Sequence, residues 1–308
     1  MKEKYPYILL VLANIIWGGN FVVGSIAKDY FPPFTFSLIR WLIAFVLLTP
    51  FLYKSLIRDH NILLKHKWAL LLLSITGVSG YNTLLYLSLH WTTSINAAVI
   101  NPITPIFIAI LSVVILSERV EGAQMIGILF SIIGVLFIMT KGSFGNLASF
   151  SFNKGDLLVL LAVFVWALYS ICLKKYAGTL PLYSTFYVTT FVGSILLIPF
   201  SLFELKFTSQ PLIWNISSIS ILFYVGFFAA IVAFLSWNIG VTKVGAARAG
   251  NYLNLLPVFA AILAPILTNE SIMWYQIVGG IIVIAGVVIS SKIKKSPLSM
   301  VNKSTTPQ

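Results

Sequence analysis

Between Pro6 and Ser290 the chain falls into ten apolar stretches, with nearly every Lys, Arg, Asp and Glu between them. They run roughly over 6–27, 34–53, 68–89, 94–116, 122–140, 155–174, 182–203, 217–241, 246–268 and 273–290. An α-helix needs about 20 apolar residues to cross the hydrocarbon core of a bilayer. Apolar residues make up 59% of the chain and charged ones 9%, where a soluble domain carries about 25%. A surface so poor in charge has to face lipid. The predicted class is an all-α membrane protein with ten transmembrane helices. Residues 292–308 form a polar tail for which composition predicts disorder.

The chain is also written twice. Leu12-Ala13 to Trp17 recurs as Leu161-Ala162 to Trp166, and Pro50-Phe51 as Pro199-Phe200, a shift of 149 residues. Pro105, Glu118, Gly127 and Gly134 recur as Pro257, Glu270, Gly279 and Gly286, a shift of 152. The repeats are assigned to 7–140 and 155–291, joined by the loop 141–154. Each holds five predicted spans. An odd number makes equivalent helices run in opposite directions, so the duplication is predicted to be inverted. Paired repeats are how many transporters gain access to both membrane faces.

Charge tests that arrangement. With the N-terminus in the cytoplasm, 15 of the 20 basic residues fall on the inside and four on the outside, while Arg40 lies within the second span. This is the bias of a chain with both termini cytoplasmic. Equivalent loops swap charge as inversion demands: Lys54, Arg58, Lys65 and Lys67 follow span two, whereas Lys206 alone follows span seven. The net charge of +12 therefore reads as membrane anchoring, and no nucleic-acid partner is predicted. The Lys- and Ile-rich, short-looped chain reads as bacterial and is placed in the cell membrane. The partners expected are a small-molecule substrate and membrane lipid, with a homo-oligomer left open.

Candidate chemistry is sparse. All eight acids are assigned to loops or helix ends, which argues against a carboxylate proton relay at the membrane centre. His90 is the only histidine close to a span. Arg40 is the only charge well inside one; it either attracts an anionic substrate group or snorkels outward. Asn14, Trp17 and Asn20, then Asn82 and Tyr86, then Asn101, mark spans one, three and four. Trp166 and Tyr169, Trp237 and Asn238, and Asn251 and Asn254 mark spans six, eight and nine. An amide in hydrocarbon must find a partner, so these faces point inward, either as interhelical glue or as the lining of a cavity. Pro102, Pro105 and Pro257 remove backbone donors within spans four and nine and are candidate hinges. Glu118 and Glu270 are candidate gates, Glu118 with Arg119 as partner; the plainer reading is that each favours the positive end of the next helix. Lacking a phosphate loop, a metal-ligand set or a catalytic triad, the sequence predicts no enzyme, no cofactor and no metal.

Trp17-Gly18-Gly19-Asn20-Phe21, Arg40, Asn101-Pro102-Ile103-Thr104-Pro105, Ser117-Glu118-Arg119 and Gly127 to Gly134 resemble the EamA domain of the drug/metabolite transporter superfamily. A weaker copy follows in Trp166-Ala167, Pro257, Asn269-Glu270, Gly279-Gly280 and Gly286. The resemblance implies a ten-span, inverted-repeat carrier with a central cavity lined mainly by spans one, three, four, six, eight and nine. Many such carriers export amino acids or other metabolites. The expected function is thus secondary transport of small metabolites by alternating access. A multidrug or lipid-type carrier is the alternative, ahead of a membrane-embedded transferase. The pattern is not symmetric throughout: Thr189 stands where the second half would need the equivalent of Arg40.

Overall fold

The computed structural model describes residues 4–88, 91–92, 100–118, 120–143, 145, 153–207, 212–268 and 273–291. Among these residues the regular structure is entirely helical. The rods are numbered in chain order. The first half holds α1 (Tyr5–Ala27), α2 (Pro33–Lys65), α3 (67–88), α4 (Asn101–Leu116) and α5 (Gly122–Met139). The second holds α6 (Lys154–Lys175), α7 (Leu182–Phe207), α8 (Ile216–Val244), α9 (246–268) and α10 (Trp274–Ser291). Six helical stretches, in α1, α2, α3, α6, α7 and α8, are long and apolar enough to cross a bilayer, and shorter apolar helices occur in α4, α5 and α10. Large apolar side chains such as Phe51, Val114 and Ile216 point outward, whereas Asn14, Ser37 and Arg40 are buried. A chain that must satisfy lipid outside and pair its polar groups inside has this distribution.

Two pairs of equivalent rods, α5–α10 and α2–α7, pack antiparallel. In the α5–α10 seam Gly127 faces Gly286 and Gly134 faces Gly279. Gly279 is the repeat mate of Gly127 and Gly286 that of Gly134, so a pseudo-twofold axis exchanges the two contacts. The backbones touch: a Cβ on Gly127 would lie 2.5 Å from the Gly286 carbonyl oxygen, and one on Gly134 2.7 Å from that of Gly279. Small residues allow this approach where no hydrophobic force drives helices together in lipid. The α2–α7 pair repeats the geometry with larger side chains. Phe34 stacks on Phe200 at 5.7 Å and Phe45 on Tyr187 at 5.1 Å. Further along, Thr49 meets Tyr187 at 3.1 Å and Ser184 donates to Asp59 at 2.6 Å. The first rods cross over: α1 packs against α8 and α9, and α6 against α3 and α4.

Three features depart from the sequence reading. The second span, predicted to end at 53, continues as helix to Lys65, replacing what was read as a long connection. The extension has an apolar stripe to bury: Leu56, Ile62 and Leu63 pack with Leu70, Tyr176 and Leu180. Next, α3 and α8 each contain a wide π-helical turn, Ser74–Gly80 and Tyr224–Val232. Such turns break the i to i−4 ladder and leave carbonyls to be satisfied elsewhere. Finally, the prolines do not interrupt a uniform helix. Tight turns at Asn101–Ile103 and Tyr252–Asn254 break α4 and α9 at matching places. Pro102 and Pro105 stand in the first turns of successive segments, and Pro257 stands three residues into Leu255–Thr268. A missing N–H costs little at a helix start.

Candidate substrate site

The crossing of α1, α6 and α8 builds an aromatic layer. Trp166 and Tyr169 on α6, and Phe234 and Trp237 on α8, are spaced i, i+3, which puts each pair on one helix face. Trp17 of α1 meets Trp166 edge-on at 5.3 Å, Phe234 at 5.5 Å and Trp237 at 5.8 Å. Trp166 also meets Tyr81 at 5.1 Å and Phe234 at 5.3 Å. The two indoles that correspond by repeat thus touch across the pseudo-twofold. Edge-to-face pairs of this kind are each worth about 0.5–1.5 kcal/mol beyond area burial. Trp17 Nε1 donates to the Ala229 carbonyl at 3.1 Å, in the wide turn of α8. Tyr169 Oη donates to Asn238 Oδ1 at 2.8 Å. The Nε1 atoms of Trp41, Trp166 and Trp237 are buried without a hydrogen-bond partner.

Arg40 is 1% exposed and sits beside this layer. Its Nη1 donates to Asn82 Oδ1 at 3.3 Å, and its guanidinium carbon lies 5.2 Å from the Trp41 ring centre. Trp41 in turn meets Phe234 edge-on at 4.9 Å. A buried guanidinium is costly, and an amide oxygen and a ring face each offset part of that cost. Arg40 does not snorkel; it points into the bundle.

The remaining predicted residues divide into groups. Asn14 is fully buried and donates to Leu10 O at 2.7 Å on its own helix, leaving Oδ1 unpartnered. Asn20 Oδ1 is likewise buried without a partner. Asn101 turns its carbonyl and side-chain oxygen to Thr104 Oγ1, at 2.6 and 3.3 Å, at the break in α4. Asn251 and Asn254 form a separate group: Asn251 Nδ2 reaches Ser290 Oγ and Gly286 O, and Asn254 Nδ2 donates to Asn251 Oδ1. Those amides join α9 to α10, the gluing role weighed for them above. Glu118 lies beside Gly245, whose φ of +95 admits no ordinary side chain. Arg248 pairs with the neighbouring Glu121 at 3.7 Å. The Tyr86 side chain, His90, Arg119 and Glu270 lie outside the described residues.

Sequence reasoning missed four contributors. Phe234 was legible as the i−3 neighbour of Trp237, and Trp41 as the neighbour of Arg40. Tyr81 gave no signal. Glu204, read as a helix-end acid, is 8% exposed on α7 and caps α2 from outside that helix. It accepts from Phe34 N at 3.1 Å, from Thr35 N at 2.8 Å and from Thr35 Oγ1 at 2.9 Å.

A cavity of about 350 Å³ opens where α1 begins and α6 and α8 end, lined among others by Tyr5, Leu73, Tyr176, Tyr183, Thr185 and Lys243. Leu173 and Thr242 also line it, and each stands one helical turn beyond the Tyr169–Asn238 bond. The cavity therefore abuts one face of the aromatic layer. Its mixed lining of apolar, tyrosine and lysine groups suits an amphipathic solute.

The EamA-like transporter family model matches residues 4–140 and 153–292. The uncharacterized transporter YyaM of Bacillus subtilis (strain 168) is 32% identical over 305 residues, spanning 96% of this chain and 97% of that one. YetK of the same organism, also an uncharacterized transporter, is 30% identical over 96% of this chain and 89% of its own length. An uncharacterized transporter of Archaeoglobus fulgidus is 28% identical over 94% of this chain and 98% of that one. A solved crystal structure superposes with a TM-score of 0.76 at 18% identity, covering 93% of this chain and 96% of the other, and shows that the fold is shared. Two family matches, one on each repeat, together with relatives aligned from end to end, make this chain a member of the EamA-like transporter family.

Proposed function

We propose that the protein is a secondary carrier that exports small organic metabolites, amino acids or related solutes, by alternating access. In this reading its ten crossings form two inverted units, 7–140 and 155–291, in a bacterial cell membrane, with both termini cytoplasmic. The observation that carries the reading is the exchange of first rods between the halves. Because α1 packs on α8 and α9 while α6 packs on α3 and α4, a rocking of one half against the other moves the aromatic layer relative to both faces at once. That is the geometry alternating access requires. The breaks at Asn101–Ile103 and Tyr252–Asn254, with Pro102, Pro105 and Pro257 beside them, supply matching hinges. The cavity beside Tyr5 and Lys243 serves as the cytoplasmic mouth, and the Tyr169–Asn238 bond separates it from the layer. Glu118 and the Glu121–Arg248 pair close on the same side as α4 and α8 end.

Reconstitution into liposomes with a panel of amino acids, amines and drugs tests the reading. Counterflow of at least one solute class is expected, and its absence for every class would overturn it. Imposing a pH gradient during uptake measures coupling to protons.

A further inference from the structure

We propose that the two indoles on the pseudo-twofold have different tasks: Trp17 pins the halves together, and Trp166, with Asn82 and Arg40, holds the head of the substrate, a carboxylate. The assignment rests on the carrier reading above and names the chemical class that the same layer recognises.

The starting point is a failure of symmetry. Trp17 Nε1 donates to a carbonyl of the wide turn in α8. By repeat, Trp166 Nε1 should donate to the matching turn in α3, against which α6 packs. It does not, and the two turn sequences give the reason. In α3 the turn is Ser-Ile-Thr-Gly-Val-Ser-Gly, which carries three hydroxyls of its own, one of them bonded to a carbonyl of the turn. Ser79 Oγ donates to Ser74 O, Ser74 Oγ to Leu70 O and Thr76 Oγ1 to Leu72 O. In α8 the turn is Tyr-Val-Gly-Phe-Phe-Ala-Ala-Ile-Val, and its only hydroxyl, on Tyr224, is spent on Ile16 O at 2.8 Å. A carbonyl of the α8 turn takes the indole donor, whereas in α3 a hydroxyl of the turn meets a carbonyl of the turn.

Trp166 Nε1 is thus a buried donor without a partner, on a residue 4% exposed. An unpaired buried donor costs about as much as a hydrogen bond earns in folding, so its retention asks for a ligand. Its surroundings say which kind. The Trp166 ring lies against Tyr81. The next residue, Asn82, is 5% exposed and has Nδ2 unpartnered, while its Oδ1 faces Arg40. An indole N–H and a guanidinium can only donate, and the amide turns its free NH₂ the same way. A group that satisfies the indole and the amide must accept, and the charge on Arg40 beside them favours an anion. A carboxylate offers about four acceptor sites and needs only one positive charge. The rings of Phe234 and Trp237 lie against Trp166, and Trp41 lies against Phe234, an apolar neighbourhood for the rest of such a molecule.

The test uses the full chain in lipid nanodiscs and three probes that share one ring and differ in the head: phenylacetate, phenylacetamide and phenethylamine. Tryptophan fluorescence and thermal shift read binding. Phenylacetate is expected to bind more tightly than the amide and far more tightly than the amine. Trp166→Phe, which keeps the ring and loses the N–H, should weaken phenylacetate by about tenfold or more without lowering Tm. Asn82→Asp, which sets an anion beside Arg40, should do the same and guards against a poorly folded Trp166→Phe. Trp17→Phe should lower Tm yet keep the order of the probes. Tighter binding of phenethylamine, binding of none of the three, or unchanged phenylacetate affinity in both Trp166→Phe and Asn82→Asp would overturn the assignment. Binding of phenylacetate in a protein that transports no solute would overturn the carrier reading and leave this one standing.

Discussion

The two ends of the α2–α7 pair can be set side by side. At one end Glu204 is almost wholly buried and caps α2 with three accepted hydrogen bonds. At the other, Asp59 also accepts three bonds, one from Ser184 at the start of α7 and two from Arg58, which is itself 72% exposed. The same device, a carboxylate of one helix at the start of the other, is built twice on opposite sides. On one side the carboxylate takes backbone donors; on the other it takes only side-chain donors, a hydroxyl and an exposed guanidinium. The side-chain end lies beside the cavity, where Tyr183 and Thr185 form part of the lining. In the carrier reading, the end that strands no backbone donor when it parts is the one suited to opening.

The largest effect should come from the element that treats both halves alike. Gly134→Leu would drive a side chain into the Gly279 carbonyl. Overpacking costs about 1–3 kcal/mol even where side chains can yield, and a backbone neighbour cannot. The expected outcome is a protein that fails to give a folded peak on size exclusion in mild detergent. A normal peak and Tm would mean that the seam can open without harm.

The comparison itself is tested next. Glu204→Ala strips an N-terminal cap and leaves two backbone donors and a hydroxyl buried, a loss of about 2 kcal/mol. Asp59→Ala removes bonds made only by side chains, one of them an exposed guanidinium, and should cost less than Glu204→Ala. Thermal unfolding of the two variants gives the ratio. Equal losses would show that the two ends are equally tight. Cysteine labelling of a Thr185→Cys variant should at the same time report the cavity side as reachable, and protection there would contradict the assignment of the open face.

How much of this was readable in the sequence depends on the scale of the forces. Apolar length made the rods legible, since six helical stretches are long and apolar enough to cross a bilayer, and most described ends fall within a few residues of those expected. Arg40, Trp17 and Trp166 were also legible, since a charge or an indole in hydrocarbon stands out against Leu and Ile. The extension of α2 to Lys65 was not, because Lys54, Arg58 and Lys65 read as a loop until Leu63 is seen against Leu70 and Leu180. The wide turns of α3 and α8 were invisible for a different reason. A single added residue in a helix turn changes no hydropathy pattern, yet it decides which carbonyls need a donor. Asn251 and Asn254 could not be separated from Asn82 by composition, because an amide serving Ser290 and one serving Arg40 are the same residue type in the same kind of helix.

The smallest effect separates the two halves at their point of contact. Trp17→Phe and Trp166→Phe make the same chemical change at repeat-equivalent positions, and both keep an aromatic ring in the layer. Trp17 loses a hydrogen bond, and the Ala229 carbonyl in the wide turn loses the indole donor. That should cost about 1 kcal/mol. Trp166 loses a donor that has no partner among the described residues. Its replacement should leave Tm unchanged or raise it slightly, since an unpaired buried N–H is removed at the cost of a smaller ring. A matched pair of unfolding curves decides the point. If Trp166→Phe is as damaging as Trp17→Phe, the two indoles are bonded alike in the membrane, and the asymmetry that sets Trp166 apart as a ligand donor is lost.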